Sequence, residues 1–323
     1  MSHWVYGCVL EFWQYGILYE KQEVLLGLGV SEKRVGLLGA TSLVGQCLLP
    51  LLRKNGWNVK AFSRRPMSSD DPHIQWIQIP NSINTLSDLE NESDKIDFWI
   101  SVAPLWVLSD YFSMMEKYGV RRIIALSSTS RYSKSNSSDT DEMVVARQLS
   151  ESEGRLRNWA QVKGVDWVIL RPTLIYGLGQ DKNISEIVRL IRRFGFFPMV
   201  GQAKGLRQPV HAEDVATACV SALEKADVIN YAYNLSGGET LTYREMINRV
   251  FAALGRRPML IPTPLWLFRL AVALIRCLPH YRNWTMQMAD RMNVNLVFDH
   301  DEAARDFNYS PGPFRLTSKD LPP

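Results

Sequence analysis

The sequence has few cysteines, no block of one charge and no apolar run long enough to span a membrane, and each absence removes a class of protein. Cys8, Cys47, Cys219 and Cys277 are scattered without CxxC spacing, and two of them fall in segments that read as helices. This excludes a disulfide framework and a zinc site, and predicts reduced thiols in a cytoplasmic protein. The net charge is only +4, and no Lys/Arg run is long enough to follow a phosphate backbone, so nucleic acid is not an expected partner. A spanning helix needs about 20 apolar residues, and an export signal needs a basic start and an unbroken apolar core; neither is present. Residues 1–30 are rich in aromatics (Trp4, Tyr6, Phe12, Trp13, Tyr15, Tyr19) but broken by Glu11, Gln14, Glu20 and Lys21. Two readings stand for them: an extension outside the fold, such as an upstream start assigned to the gene, or an ordered arm. With 46% apolar and 22% charged residues in 323, the remainder has the balance of a globular protein with a real core.

From Lys33 onward short apolar runs alternate with helical periodicities, which is the pattern of strands crossed over by helices in a parallel sheet. Strands are expected at Arg34 to Leu38, Asn58 to Phe62, Phe98 to Val102, Arg122 to Leu126 and Trp167 to Leu170. Helices are expected at Ser42 to Asn55, with a bend at Pro50, at Ser109 to Tyr118, ending at Gly119, and from about Glu142 to Val162. In the last, Val145, Leu149, Leu156 and Trp159 are spaced for one buried face. After Pro172 helices and irregular connections dominate. Thr242 and Glu245 form a capping box before Met246, Ile247, Val250 and Phe251, and Gly255 closes that helix. Pro264 to Leu278 is strongly apolar and reads by default as buried core. The fold class that follows is α/β: a Rossmann-like doubly wound parallel sheet over residues 31–172, with a smaller, mainly helical C-terminal substrate-binding part. That part covers residues 173–323, and its chain crosses back to the sheet.

The run Val35 to Leu52, VGLLGATSLVGQCLLPLL, turns from a strand directly into a helix. A diphosphate needs backbone N–H groups aimed at it, the positive end of a helix and small residues that allow close approach. Gly39 suits the tight turn, Gly45 allows helix and strand to lie close, and Thr41, Ser42, Leu43 and Val44 complete the loop. Ser42 stands where a middle glycine is usual, adding a side chain and a hydroxyl. The second strand ends in Ser63, Arg64 and Arg65, with no carboxylate for an adenosine ribose. Two guanidiniums and a hydroxyl suit a 2′-phosphate, which points to NADP(H) over NAD(H). A solvated basic turn is the other reading of that pair.

With this cradle, the motif Leu170 to Gly177 (LRPTLIYG) and the run Arg207 to Ala216 (RQPVHAEDVA), the chain resembles the extended short-chain dehydrogenase/reductases. More narrowly, it resembles the NAD-dependent epimerase/dehydratase group that acts on nucleotide sugars. The resemblance covers about residues 33–312, including Val297 to Tyr309. It implies that Pro172 and Thr173 hold the nicotinamide end and that Arg207 binds a substrate diphosphate. It also matches Thr129, in the loop Ser127, Ser128, Thr129 after the fifth strand, to the family's catalytic Ser/Thr. The alternatives are a surface salt bridge for Arg207 and helix capping for His211 and Asp214.

The family's Tyr, followed four residues later by Lys, is missing: no tyrosine lies between Ser138 and Trp167, and Val145 and Leu149 take the two positions. Such a pair carries the proton that balances hydride transfer, typically about 10²- to 10⁴-fold in rate. Tyr132, with Lys134 nearby, is a candidate substitute acid; an exposed loop tyrosine is the competing reading. Two functions follow. One is an atypical oxidoreductase or epimerase acting on a small molecule of nucleotide-sugar type, using Thr129, Ser128 and Tyr132. The other is a non-catalytic NADP(H) binder with a structural or redox-sensing role. A homodimer and a weak peripheral membrane contact through Pro264 to Leu278 are compatible with both.

Overall fold

In a computed structural model, residues 33–79, 95–135, 139–275, 289 and 291–323 are described. The aromatic segment 1–30, Cys8, Cys277 and the end of the Ser-rich loop lie outside them. The chain from Arg34 builds a seven-stranded sheet, parallel throughout the described residues, in the order β11-β6-β5-β4-β1-β2-β3. Its strands are β1 (Arg34–Leu38), β2 (Asn58–Ser63), β3 (Ile74–Gln78), β4 (Phe98–Ser101), β5 (Arg122–Leu126), β6 (Asp166–Pro172) and, after four short strands, β11 (Tyr231–Leu235). This is the doubly wound Rossmann-like sheet that the alternation of strand and helix predicts. Two strands escape the sequence pattern: β3 lies at the edge and is only partly buried, and β11 returns from far along the chain to pair with β6.

The helices are α1 (Leu43–Lys54), α2 (Phe112–Lys117), α3 (Ser130–Ser133), α4 (Thr140–Lys163), α5 (Ile184–Phe194), α6 (Ala212–Glu224), α7 (Tyr243–Ala253), α8 (Leu265–Ile275) and α9 (Asp301–Phe307). Helix α2 is shorter than its sequence pattern suggests, because a 3-10 stretch, Leu105–Tyr111, precedes it. One face of the sheet packs on α1 and α6 through Val44, Leu48, Leu52, Val215 and Cys219; the other packs on α2 and α4 through Met114, Met115, Leu149 and Leu156. Helix α4 starts where the Asp139 carboxylate accepts from the N–H groups of Asp141 and Glu142, and stops at Gly164 with φ +65°. The cap satisfies donors that the helix cannot, and the glycine takes a left-handed turn at little cost.

The short strands β7 (Ile175–Tyr176), β8 (Phe197–Met199), β9 (Leu206–Arg207), β10 (Val210–His211), β12 (Leu241–Thr242) and β13 (Leu260–Pro262) pair two by two outside the large sheet. They frame a second apolar cluster of α5, α7 and α8, built on Ile187, Ile191, Ile247, Val250, Phe251 and Phe268. The Thr242 and Glu245 capping box is present in both directions. One expectation fails in this part. The apolar segment from Pro264 is not simply core: Phe268 and Val272 of α8 are buried, but Trp266 is 68% and Leu270 52% exposed. On a 3.6-residue helix these pairs fall on opposite sides, so two opposite faces are apolar while only one has a core to enter. Replacing Thr242 by Ala removes the hydroxyl that accepts from Glu245 N–H while leaving the Thr242 N–H to Glu245, and is expected to lower stability by about 1 kcal/mol, read as a lower urea midpoint with an unchanged slope.

Candidate functional site

Strand order reverses between β1 and β4, and there the carboxyl ends of the sheet open a crevice, the usual ligand position in such folds. A cavity of about 680 Å³ occupies it. One wall is the β1–α1 turn, with Ser42, Leu43 and Val44; another is the segment after β5, Ser127 to Ser130; Arg207 and Arg291 come from the C-terminal part.

The turn is held by its own backbone and by two glycines. Ser42 N–H donates to the Gly39 carbonyl at 2.9 Å, and the Ser42 hydroxyl accepts from Gly45 N–H at 3.1 Å as the N-cap of α1. The middle position thus spends its hydroxyl on the helix start. A Cβ on Gly45 would collide with the Gly39 carbonyl oxygen and stand 2.6 Å from that of Ala40. Gly39 has φ +84°, and a Cβ there would stand 2.5 Å from the Ala103 nitrogen. Both glycines are therefore required by closeness of backbone to backbone. The N–H groups of Leu43 and Val44 belong to the first helical turn, whose donors have no partner inside the helix. Such a turn, with amides at a helix mouth, fits a diphosphate.

Beside it, β2 runs in register with β1, Leu38 opposite Phe62, so Ser63, Arg64 and Arg65 follow at the same sheet edge. Ser63 is buried and its hydroxyl accepts from Arg65 N–H at 3.1 Å, while Arg64 and Arg65 are exposed. The carboxylate a few residues on, Asp71, is taken by Arg53 at 3.0 Å.

The floor is pinned by Glu153 of α4, fully buried. It accepts from Arg171 Nε at 2.9 Å and Nη2 at 2.6 Å, from Ser127 at 2.7 Å, from Arg157 at 3.0 Å and from Arg131. Burial alone would raise its pKa; the hydrogen bonds from Arg171 and Ser127 and the charges of Arg171 and Arg131 outweigh it and hold the carboxyl below its usual range. Four and eight residues before it on the same helix face, Leu149 and Val145 line the cavity. The positions that the resemblance gives to a Tyr and a Lys thus do reach the crevice, and they reach it with aliphatic side chains.

Thr129, Ser128 and Thr173 line the cavity together. Thr129 donates its N–H at 3.1 Å and its hydroxyl at 3.2 Å to the Pro172 carbonyl, which leaves its oxygen as an acceptor. Ser128 accepts from Ser130 N–H, and Thr173 donates its hydroxyl to the Gln208 carbonyl. Tyr132 is not among the lining residues. It is 43% exposed, with its ring against the Arg131 and Arg171 guanidiniums at 5.3 and 5.4 Å.

Arg207 is buried, so it is not a surface salt bridge. Its guanidinium donates at 2.7 Å to the carbonyls of Leu206 and Val294, donates also to that of Arg291, and lies 5.4 Å over the Tyr243 ring. Burial lowers its pKa, though a guanidinium stays charged. Three groups that short spacing does not join complete the site. Arg291 pairs with Glu142, and Lys134 stands 3.8 Å from the same carboxylate; Lys134 and Arg291 both line the cavity. Burial, helped by the charge of Arg291, pushes the Lys134 ammonium below the usual lysine range. The Arg291 Nε is buried and unbonded. His211 does cap: its Nδ1 accepts from Glu213 N–H while Nε2 lies 3.0 Å from Asp320.

Residues 109–236 match the model of the NAD dependent epimerase/dehydratase family. This segment resembles that family's domain. Within it stand β5, α4 and β6 with Ser127, Glu153 and Arg171, the parts that shape the floor. Over 121 residues, 38% of this chain and 37% of the relative, the chain is 26% identical to a UDP-glucose 4-epimerase of Vibrio cholerae. Its fold superposes with a TM-score of 0.64 on the crystal structure of a UDP-N-acetylglucosamine 4-epimerase from Bacillus cereus, at 16% identity over 86% of this chain and 91% of that one. It superposes with a TM-score of 0.61 on MoeE5 in complex with UDP-glucose and NAD, at 20% identity over 88% and 95%. The chain spans between about a quarter and two thirds of the length of the curated relatives it matches.

Two predictions follow from this geometry. Gly45→Val fills the space that the Gly39 and Ala40 carbonyls occupy and is expected to abolish dinucleotide binding by calorimetry. Glu153→Ala strands Arg171 in the interior and is expected to cost about 3–5 kcal/mol at neutral pH. Because the folded carboxyl titrates below its unfolded value, the stabilisation by Glu153 is complete above the unfolded pKa and is lost as pH falls through the folded one. The gap between parent and variant in urea titrations should therefore narrow only in acid.

Proposed function

We propose that this protein is an NAD(P)-dependent oxidoreductase or epimerase of the extended short-chain dehydrogenase/reductase type, with NADP(H) preferred, acting on an anionic substrate of nucleotide-sugar kind. The observation that carries this reading is that one cavity is bordered by two anion-binding devices of different chemistry. The mouth of α1 offers neutral amides, suited to a dinucleotide's diphosphate. Arg207, Arg291 and Lys134 offer three cations, with Glu142 as a shared carboxylate. Desolvated cations beyond those that a carboxylate neutralises favour an anionic ligand. The solved structure that holds UDP-glucose and NAD together gives such a pair of ligands a precedent on this fold.

A bound nicotinamide cofactor would supply the hydride chemistry, and the chain's part is to bind, orient and manage a proton. Gly39, Thr41, Ser42, Leu43, Val44 and Gly45 form the diphosphate cradle, Pro172 and Thr173 face the nicotinamide end, and Ser63, Arg64 and Arg65 take the 2′-phosphate. Arg207 holds the substrate's phosphates, within a substrate-binding part that we assign to residues 173–323. Ser128 and Thr129 orient a substrate oxygen. Lys134 takes the proton role in place of Tyr132: its lowered pKa makes the ammonium a stronger acid, and it lines the cavity.

A second reading, a cofactor binder without turnover, draws on Val145 and Leu149, which put hydrocarbon where the family pair would stand. Purified protein denatured and examined by mass spectrometry is expected to release NADP(H). An Arg64→Ala/Arg65→Ala double variant should lose at least about tenfold in affinity for NADP(H) and little for NAD(H). Arg207→Ala should raise KM for a nucleotide sugar about 10- to 100-fold with a smaller effect on kcat, since truncating a buried charged donor costs about 1.5–3 kcal/mol of binding. Tight NADPH binding with no turnover across a nucleotide-sugar panel would decide for the binder.

A further inference from the structure

We propose that the outer face of α8, with the adjoining exposed edge of β13, seats this protein on an anionic lipid surface. The inference is independent of the cleft. Helix α8 is apolar apart from Arg269: Phe268 and Val272 enter the second core, while Trp266 and Leu270 project on the opposite side and Leu267 flanks them, 41% exposed. Large apolar side chains exposed together on the face turned away from the core mark a surface that an apolar environment covers. Across its described residues α8 is 11 residues long, and no helix among the described residues is long and apolar enough to cross a bilayer, for which about 20 are needed, so the environment is one it lies against. The chain running into the helix continues the surface. Met259 and Ile261 are exposed on either side of the partly buried Leu260, as alternation along a strand requires.

Charge decides the occupant. Residues 246–289 contain six arginines and no aspartate or glutamate, and Arg249 among them is already paired with Glu239. Arg256 and Arg257 stand exposed just before Met259, and Arg256 is fixed at the end of α5 by donating to the Ile191 carbonyl at 2.7 Å. There Arg193 lies 5.5 Å over the ring of the exposed Phe194. β13 pairs with β8, which begins three residues after Phe194, so these cations lie along the same margin. Exposed apolar side chains that include a tryptophan, with exposed arginines on the chain leading to them, match the interface of an anionic bilayer: hydrocarbon accepts the apolar face, and headgroup phosphates and carboxylates accept the guanidiniums. A second copy of the chain is a poorer occupant, because two-fold pairing would set this cationic margin against itself.

The test is flotation of the full chain with phosphatidylcholine vesicles, with and without phosphatidylserine. The chain should float only with phosphatidylserine and should be released by salt. Trp266→Ser/Leu270→Ser and Arg193→Glu/Arg257→Glu should each lower the bound fraction at least about tenfold, from the apolar and the charge contribution respectively. All four side chains are exposed, so the melting temperature and dinucleotide binding should match the parent; where the first pair melts lower, Leu270→Ser alone is read instead. The proposal is overturned if the parent stays with the soluble fraction in both mixtures. It is equally overturned if the variants float as the parent does, or if Trp266→Ser/Leu270→Ser splits a dimer or an acidic protein complex without changing flotation.

Discussion

The carboxylate of Glu153, buried beneath the crevice, is the constraint on which the candidate site depends. Burying an ion costs several kcal/mol unless its lone pairs are filled, and here Arg171, Arg157, Arg131 and Ser127 fill them. Those partners come from the end of β6, from α4 itself, from α3 and from the end of β5. A single group therefore fixes where two central strands stop relative to the long helix that covers them. Thr129 adds a second tie across the same gap by donating twice to Pro172. With the strand ends and α4 locked, the helix face bearing Val145 and Leu149 has no choice of direction: it looks into the crevice.

Above this floor the two anion-binding devices differ in how they tolerate change. The β1–α1 turn grips through backbone, so the serine at its middle position is accommodated by serving as the N-cap; what the turn cannot accept is bulk at Gly39 or Gly45. The second device is made of side chains whose positions are set elsewhere. Arg207 is oriented by three backbone carbonyls and a tyrosine ring, and Arg291 by Glu142. Orientation by neutral carbonyls leaves the charge of Arg207 uncancelled, unlike that of Arg171, whose bidentate carboxylate neutralises it.

Local patterns carried the sheet and the cradle, because both are written in short runs. β1, β5 and the Gly39 to Gly45 turn can be read from residues within a few positions of each other. The edge strand β3, IQWIQ, was missed because half-buried polar alternation resembles a loop, and β11, YAYNL, because its partner lies about 60 residues earlier. Glu142 and Arg291, 149 positions apart, meet only once the C-terminal part folds back over the crevice. The apolar count of Pro264 to Leu278 suggested core but could not say that only one side of α8 would find any. Tyr132 was attractive by composition, yet α3 turns it outward onto Arg171, while its neighbour Lys134 faces the cavity.

The aliphatic Val145 and Leu149 bear on the choice between catalyst and binder less than their chemistry first suggests. On the proposed function they remove one route for the proton and leave the β1–α1 turn and the cations around Arg207 in place. A protein that only held a dinucleotide would have no use for the other half of the crevice, where an ammonium and two guanidiniums are kept partly out of water. Each is a cost to folding, and Arg291 adds a buried donor with no acceptor. A fold that carries these costs beside a preformed cradle is better explained by a second, anionic molecule that completes the bonds. On the proposed function, a substrate over Thr129 with Lys134 beside it would have a proton source within the same crevice as the β1–α1 turn.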